Sequence, residues 1–423
     1  MPLYKRILLG LLFGIIAGLA ANAVAPGDVR LIWFAEHVSE PIGRIFLRLI
    51  FMVVVPLIVS ALSLGVAGLG DIRTLGRIGA KTFAYTVGVT AASVVTGLVF
   101  VNLFRPGDGL PEEVRAQLRM IMHSNEGAVT AAESGVGLDA LLRIIPDNPL
   151  KAAVQGDMLA VMFFALMIGI ALATAPRERV KPLIDVLEAL YEVTMRIIDA
   201  AMRLAPYGVA ALLFTMTARF GFTVLRQLFA YVAVVLLGLA FHQFVTYSIL
   251  VRYFSGISPL VFFRSIREVM ITAFSTSSSN ATLPTALRVT ETSLGVPRDI
   301  ASFVLTLGST ANQNGTALFE GVTVLFLAQF FGVELSLGQQ VTVVLMSVLA
   351  GVGTAGVPGG SLPLIMPVLV AVGVPGEGIG IILGVDRLLD MCRTVLNVTG
   401  DVTAATFVAR SEGRLAARAP DGI

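Results

Sequence analysis

The sequence predicts an all-α membrane protein, and three observations support this fold class. Of the 423 residues, 56% are hydrophobic and 14% are charged, with a mean hydropathy of +0.86. An average soluble domain has roughly 25% charged residues, so this chain cannot cover a water-facing surface of its size. Its apolar residues occur in stretches of about 20, the length of a membrane-crossing helix. The alternating segments of a transmembrane barrel do not occur.

The first half of the chain predicts six apolar helices, interrupted by charged connections. They cover about residues 7–25, 45–69, 80–104, 157–175, 184–218 and 227–253. The first follows Lys5 and Arg6, so a cleaved signal peptide is the alternative, but the apolar stretch is long for one. Pro206 lies inside the fifth helix.

The charge distribution predicts the orientation of these helices through the positive-inside rule. Basic clusters occur at residues 73–81, 177–181, 264–267 and 410–418. Residues 105–157 contain eight Asp or Glu against five Lys or Arg, which fits the outside. We therefore expect a multi-pass protein of the cell (inner) membrane with both termini in the cytoplasm.

After residue 254, polar or Gly/Pro-rich breaks interrupt the apolar stretches at residues 275–284 and 351–361. Non-helical backbone is tolerated at membrane depth only where protein or a water-filled cavity satisfies its polar groups. Two such breaks predict re-entrant hairpins in an internally repeated transporter, with substrate held between them. Two helix kinks or extramembrane loops are the alternative.

The last predicted helix carries six polar residues in otherwise apolar sequence: Asp386, Asp390, Arg393, Thr394, Asn397 and Asp401. At 100° per residue they share one stripe roughly 100° wide. A charge at the bilayer centre costs roughly 2.5–3.5 kcal/mol, so such residues normally face a site or pathway. Arg393 suits a carboxylate, Asp390 an ammonium group, and Asp401 with Asn397 a hard cation. A self-neutralising network that only orders the helix is the alternative.

A second polar signal interrupts the apolar stretch at about residues 299–330. Asn312, Gln313 and Asn314 precede Gly315, and Asn-Gly is a helix-breaking pair that exposes carbonyl groups able to coordinate a cation. Glu320 lies one turn beyond Thr316 on the same face. A carboxyl group removed from water favours its neutral form, so Glu320 is a candidate proton carrier, with a structural hydrogen bond or ion pair as the alternative.

Composition also excludes other classes of protein. Cys392 is the single cysteine, which excludes a disulfide-stapled secreted domain, and the three scattered histidines do not form a zinc site. A net charge of +2 gives no indication of a nucleic-acid partner. Serine hydrolysis would need a base, and His242 has no motif around it. We therefore expect no enzyme and no cofactor besides coupling ions.

Four motifs occur in the order found in one family. They are Ser277-Ser278-Ser279 with Thr282-Leu283-Pro284, Asn312 to Thr316, Gly353 to Pro358, and Asp390 to Asp401. This pattern resembles the dicarboxylate/amino acid:cation symporters, which include archaeal aspartate transporters and mammalian excitatory amino acid transporters.

The resemblance implies the glutamate-transporter (elevator) fold, with eight transmembrane helices plus two re-entrant helical hairpins in a homotrimer. A scaffold would comprise mainly residues 1–75 and 140–220, with an extracellular loop at 105–157. A transport domain would comprise mainly residues 76–104 and 225–423, including hairpin one at 257–290, hairpin two at 339–372 and the last helix at 376–410.

The resemblance also implies roles for individual residues. Arg393 would bind the side-chain carboxylate of an acidic amino acid, and Asp390 its ammonium group. The remaining substrate-binding residues would be Ser278, Ser279, Thr316, Val357, Gly359, Thr394 and Asn397. One sodium site would comprise Gly308, Asn312, Asn397 and Asp401, and a second Thr310, Gly351, Val352 and Thr354.

A third sodium site is degenerate, and this departure favours protons as the coupling ion. Asn314 stands where the family has a ligating carboxylate, and Val89-Thr90 stands where it has a Thr-Ser pair. Glu320 matches the position at which the mammalian members carry a proton. The hypothesis is therefore proton-driven uptake of aspartate or glutamate across the lipid bilayer, with Glu320 as the carrier.

Three alternatives to this hypothesis stay open. Sodium-coupled uptake is one of them, because Asp401, the carboxylate of the first sodium site, is present in this sequence. C4-dicarboxylate:cation symport is another, because the sequence does not decide between the substrates. An anion channel is an alternative of another class, although it would not need Arg393 and Asp390 placed for the opposite charges of an amino acid.

Overall fold

Helices make up the regular structure of the described part of the chain, and no strand occurs there. The structure is a computed structural model that describes residues 3–26, 28–68, 77–110, 145–155, 157–353 and 361–415. The helices of its first half are α1 (Leu3–Val24), α2 (Val29–Phe34), α3 (Glu40–Phe51), α4 (Val54–Gly68), α5 (Arg77–Phe104), α6 (Pro149–Gln155), α7 (Met158–Thr174), α8 (Arg177–Met202) and α9 (Ala205–Phe220).

The second half contains shorter and more often broken helices. They are α10 (Phe222–Phe241), α11 (Tyr247–Leu250), α12 (Pro259–Ser265), α13 (Arg267–Thr276), α14 (Ser279–Thr292), α15 (Arg298–Ala311), α16 (Asn314–Phe331), α17 (Leu337–Gly353), α18 (Leu362–Ala371) and α19 (Ile379–Ser411). Two π-helical turns, His242–Thr246 and Val251–Ser255, flank α11.

The described residues form a multi-pass membrane protein, as the sequence predicted. Five helical stretches are long and apolar enough to cross a bilayer: Lys5–Val24, Val29–Ala67, Arg77–Phe104, Val224–Ser255 and Arg298–Phe331. A sixth is the pair α8 and α9, bent by 54° at their junction. Large apolar side chains such as Phe13, Leu103 and Phe229 lie exposed, as lipid-facing residues do.

The predicted continuous helix at 184–218 was wrong in one respect, because the chain breaks between α8 and α9. Pro206 occupies the first turn of α9, where its missing N–H and fixed φ are tolerated. Helix α8 also begins at Arg177, seven residues before the predicted start, since apolar composition alone does not detect its polar first turns.

Each predicted break contains the junction between two consecutive helices. The first junction is shorter than predicted, because α13 runs to Thr276 and α14 begins at Ser279. Ser277 adopts a left-handed conformation (φ 51°, ψ 35°), and the Ser278 side chain then caps α14 by accepting from the Ala281 N–H at 3.2 Å. Helices α13 and α14 pack against each other and on α19. The second break lies between α17 and α18, and residues 354–360 are outside the described part.

Helix packing divides the described elements into two groups. Helix α1 packs on α9, while α4 packs on α7 and α8. In the second group α5 packs on α16, and α19 is surrounded by α10 and α13 to α16. Helix α17 contacts both groups, through α4 on one side and through α5 and α16 on the other.

Glycines bring the backbones of α1 and α9 together. A Cβ added at Gly10 or Gly14 would overlap the carbonyl oxygen of Pro206 or Ala210, and one at Gly18 would overlap the Thr217 hydroxyl. Small residues at spacings of four let two membrane helices approach closely. This seam, defined by Gly10, Gly14 and Gly18, fixes α1 against α9.

Gly14→Ala is expected to destabilise the protein, because the new methyl group meets backbone that cannot rotate away. Overpacking of this kind costs about 1–3 kcal/mol. Gly88→Ala is the matched control, since a Cβ there meets nothing within 4 Å. Thermal unfolding in detergent should show a lower Tm for Gly14→Ala and little change for Gly88→Ala. Equal Tm values for the two variants would contradict the close approach.

A cluster of charges ties the end of α19 to α5 and α15. The Glu412 carboxylate accepts from Lys81 Nζ at 2.6 Å and from Arg77 Nε at 2.9 Å. Arg414 forms two hydrogen bonds to Asp299, at 2.8 and 3.0 Å. The hydrogen bonds from Arg77 and Lys81 lower the pKa of Glu412 below its usual value.

Glu412→Gln is therefore expected to lower Tm slightly at neutral pH and to have no effect in acid. A carboxyl group whose pKa is lowered by folding stabilises the protein above its unfolded pKa, and this contribution is lost as the pH falls through the folded pKa. The Tm difference from wild type should thus be largest at pH 7, begin to shrink near the ordinary glutamate pKa of about 4.3, and vanish below the lowered pKa of the folded protein. Glu334→Gln, at an exposed glutamate, serves as the control. A Tm difference between wild type and Glu412→Gln that grows as the pH falls would contradict the ion pairs.

Candidate functional site

The centre of the candidate site is Arg393, which is fully buried on α19. Its Nη2 atom lies 2.9 Å from Asp390 Oδ1 and 3.0 Å from Asp386 Oδ1. The guanidinium lies over the Phe319 ring, 3.8 Å from the centroid. Its Nε and Nη1 atoms have no hydrogen-bond partner among the described residues. Buried donors normally have acceptors, so this guanidinium retains capacity for a ligand anion.

All six residues of the predicted stripe are buried on α19. The C-terminal part of the stripe contacts other helices. The Gly315 N–H donates to Asn397 Oδ1 at 2.7 Å, and Asn397 Nδ2 lies 3.2 Å from Thr316 Oγ1. Asp401 Oδ1 accepts from Asn312 Nδ2 at 2.9 Å. The stripe is therefore more than a network closed within one helix.

The break between α15 and α16 brings these partners together. Asn312 and Gln313 leave helical geometry, and α16 restarts at Asn314. A Cβ at Gly315 would lie 2.6 Å from the Arg393 carbonyl oxygen, so the broken segment packs directly on α19. Gln313 uses its side-chain oxygen to accept from Asn397 Nδ2 and its nitrogen to donate to the Ser309 carbonyl.

The first proposed cation site forms a compact group of oxygens. Asp401 is buried against Gly308, where any side chain would overlap its carboxylate. Asn312 Oδ1 is buried and has no hydrogen-bond partner within the described ranges. A buried carboxylate with a free amide oxygen beside it is a donor set that suits an alkali cation.

The second predicted cation site lies partly within the described residues, which include Thr310, Gly351 and Val352. Thr310 is exposed, and its hydroxyl donates to the Leu307 carbonyl. Gly351 packs beside Ala317, while the Val352 carbonyl oxygen lies against Gly65 of α4. Thr354 belongs to the part of the chain that the structure does not describe, as do the predicted substrate-binding residues Val357 and Gly359.

Neutral hydrogen bonds fill the degenerate third site. Thr90 Oγ1 donates to Asn314 Oδ1 at 2.6 Å, and Asn314 Nδ2 donates to the Tyr247 hydroxyl at 2.8 Å. Tyr247 in turn donates to the Leu396 carbonyl at 3.0 Å. The Asn314 amide is thus engaged on both sides, without a charged group.

Glu320 lies on α16 one turn beyond Thr316, and it is completely buried. Neither of its carboxylate oxygens has a hydrogen-bond partner in the described segments. The predicted alternative, a structural hydrogen bond, is therefore not formed in this structure. Phe319, under the Arg393 guanidinium, is its neighbour in sequence.

Ser278 and Ser279 lie buried at the turn of the first hairpin. The Thr282 hydroxyl donates to the Ser278 carbonyl at 2.8 Å, and Thr276 and Thr282 place their hydroxyl oxygens 3.2 Å apart. Helix α14 packs on α19, the helix that carries the stripe. Thr394 bonds back to the Asp390 carbonyl at 2.8 Å.

Sequence reasoning missed three neighbours of the site. Arg387 lies at about +60° from Asp390 on a helical projection, at the edge of the stripe, so periodicity could have found it. Its Nη1 atom lies 3.3 Å from Asp390 Oδ2. Phe319 and Tyr247 carry no sequence signal, because their roles depend on tertiary contacts with Arg393 and Asn314.

The chain is a membrane-embedded helical bundle, and it buries an arginine, Arg393, that is paired with carboxylates and still has free hydrogen-bond donors within the described residues. These features are typical of a solute transporter. Residues 3–411 match the model of the sodium:dicarboxylate symporter family, and the chain belongs to that family. The resemblance drawn from its motifs is thereby confirmed.

The chain is similar to several characterised relatives over nearly its whole length. It is 35% identical to the proton/glutamate-aspartate symporter of Escherichia coli K12, covering 90% of this chain and 86% of the relative. It is 35% identical to the proton/sodium-glutamate symport protein of Bacillus subtilis, covering 97% and 94%. It is 33% identical to the C4-dicarboxylate transport protein of Rhodospirillum rubrum, covering 89% and 83%.

Proposed function

We propose that this protein is a secondary symporter that imports acidic amino acids. The observation that carries the proposal is the buried group formed by Arg393 and Asp390, which offers a guanidinium and a carboxylate 2.9 Å apart. Aspartate and glutamate present the complementary carboxylate and ammonium groups. Thr394 and Asn397 belong to the same stripe, Thr316 of α16 contacts Asn397, and all three supply neutral hydrogen-bonding groups. The relatives named for glutamate and aspartate support this substrate class.

The proposed coupling ion is the proton, with Glu320 as its carrier. An ionised carboxylate buried without a partner would be costly, and a carboxyl group that gains and loses a proton as it changes environment avoids that cost. The neutral hydrogen bonds around Asn314 support the same proposal, since they occupy the degenerate sodium site without a negative ligand.

Sodium coupling is the second candidate, and a specific observation favours it. Asp401, Asn312 and Gly308 form a group in which one buried amide oxygen has no partner in the part of the chain described. If sodium is carried, these residues would hold it. A related substrate, a C4-dicarboxylate, is favoured by the name of the Rhodospirillum relative.

The proposal includes an elevator movement within a homotrimer of the cell (inner) membrane, with both termini cytoplasmic. The division of helix packing supports a scaffold built around α1, α4, α7, α8 and α9 and a transport domain built around α19. Hairpin one would gate the cytoplasmic side and hairpin two the outside.

Uptake of radiolabelled aspartate into proteoliposomes tests the proposal. We expect concentrative uptake driven by an inwardly directed proton gradient, with the outside acidic, in the absence of sodium. The uptake should also show saturation and counterflow. Concentrative uptake driven only by sodium and indifferent to pH would replace the proton with sodium. Flux without saturation or counterflow would indicate an anion channel instead.

A further inference from the structure

The two carboxylate oxygens of Asp390 face two different arginines. Oδ1 accepts from Arg393 Nη2 at 2.9 Å, and Oδ2 accepts from Arg387 Nη1 at 3.3 Å. A ligand ammonium that binds Asp390 would bring a third positive charge to this carboxylate, which favours replacement of one of the two guanidinium groups.

Arg393 is the partner that stays. It is fully buried, lies between Asp386 and Asp390, and is held over the Phe319 ring. Its Nε and Nη1 atoms have no partner in the described part of the chain, so a ligand carboxylate can accept a hydrogen bond from either of them without breaking the bond to Asp390.

Arg387 is the partner that can leave. Its side chain is 26% exposed, against 0% for Arg393, and its bond to Asp390 is the longer of the two. A guanidinium that still reaches water loses less solvation energy when it changes partners than one that is fully buried. The Oδ2 atom of Asp390 is thus the open position for an ammonium group.

We infer that Arg387 is an exchangeable counterion of Asp390 that lets one site bind dicarboxylates both with and without an α-ammonium group. An amino acid displaces Arg387 with its own cation. A dicarboxylate that lacks the ammonium leaves Arg387 in place, so Asp390 keeps a second cation beside Arg393, which is shared with Asp386 and the ligand carboxylate. The inference rests on the proposed function, because it assumes the Arg393 and Asp390 site.

Binding of L-aspartate and succinate, which share a four-carbon skeleton and differ in the amine, tests the inference. With purified full-length protein in detergent, wild type should bind both by calorimetry. Arg387→Gln should lower the affinity for succinate by roughly ten-fold or more. The affinity for aspartate should stay equal or rise, because the Arg387 guanidinium no longer competes with the ammonium group of aspartate for Asp390 Oδ2. Arg387→Lys should restore succinate binding, and Arg414→Gln, just beyond the end of α19, should leave the ratio of the two affinities unchanged.

Each other outcome has a distinct meaning. Wild type that binds aspartate but not succinate overturns the inference and leaves the proposed function intact. The same holds if Arg387→Gln changes both affinities equally or neither. Wild type that binds neither ligand overturns the proposed function itself.

Discussion

Arg393→Ala is expected to abolish the binding and uptake of acidic substrates. The guanidinium is the one group of the stripe that can take a carboxylate in a bidentate grip. Arg393→Lys should also bind aspartate far more weakly, because an ammonium group keeps the charge but loses the planar fork. Affinity can be measured by calorimetry and uptake in proteoliposomes.

The control for this prediction must separate lost binding from lost folding. Removing Arg393 leaves Asp386 and Asp390 buried beside a single remaining arginine, and breaking a buried pair costs about 3–5 kcal/mol. Arg393→Lys retains the charge, and Arg414→Ala removes an exposed arginine that lies just beyond the end of α19. Unchanged aspartate affinity in a folded Arg393→Ala protein would disprove the assignment.

Glu320→Gln is expected to remove accumulation driven by a pH gradient. The amide has the size of the carboxyl group but cannot lose or gain the proton, so net proton-coupled uptake should fall to background. Exchange of external for internal aspartate should persist and become insensitive to pH, since it needs no return of the unloaded carrier. Both are measured in proteoliposomes with and without an imposed gradient.

The comparison with Glu334→Gln, an exposed carboxylate outside the site, controls for the loss of a charge as such. If Glu320→Gln still accumulates aspartate in response to a pH gradient alone, Glu320 is not the carrier. In that case the buried carboxylate of Asp401 becomes the group to test.

The parts of the site that follow helical periodicity could be predicted from the sequence. Asp390, Arg393, Asn397 and Asp401 share a face because each residue turns the helix by 100°, and burial of this face follows from the membrane. Contacts between distant segments were not predictable. Tyr247 lies 67 residues before Asn314 in the chain, and only the packing of α11 beside α16 and α19 brings their side chains to 2.8 Å.

For the fold as well, features that depend on local sequence could be predicted, whereas features that depend on tertiary contacts could not. The positions of the membrane helices and of the breaks within residues 275–284 and 351–361 follow from composition. The break between α15 and α16 lies at Asn312 and Gln313, whereas Gly315, which was predicted to break the helix, lies in the first turn of α16. The 54° bend at α8 and α9 was missed, because a proline within an apolar stretch is compatible with either a kink or a new helix.

The glycine seam holds α1 and α9 at a fixed distance, so this helix pair can serve as a reference for measuring the movement of other helices during transport. At Gly10 and Gly14 the two backbones touch without intervening side chains, so no change of rotamer there would let one helix slide along the other. A spin label on lipid-facing Phe13 of α1 should therefore keep a constant distance to one on Tyr207 of α9 throughout turnover. With Cys392 as the single native cysteine, a background for such labels needs one substitution. Any distance from Phe13 to α19 that changes on adding aspartate would then report displacement of the substrate-binding helix itself.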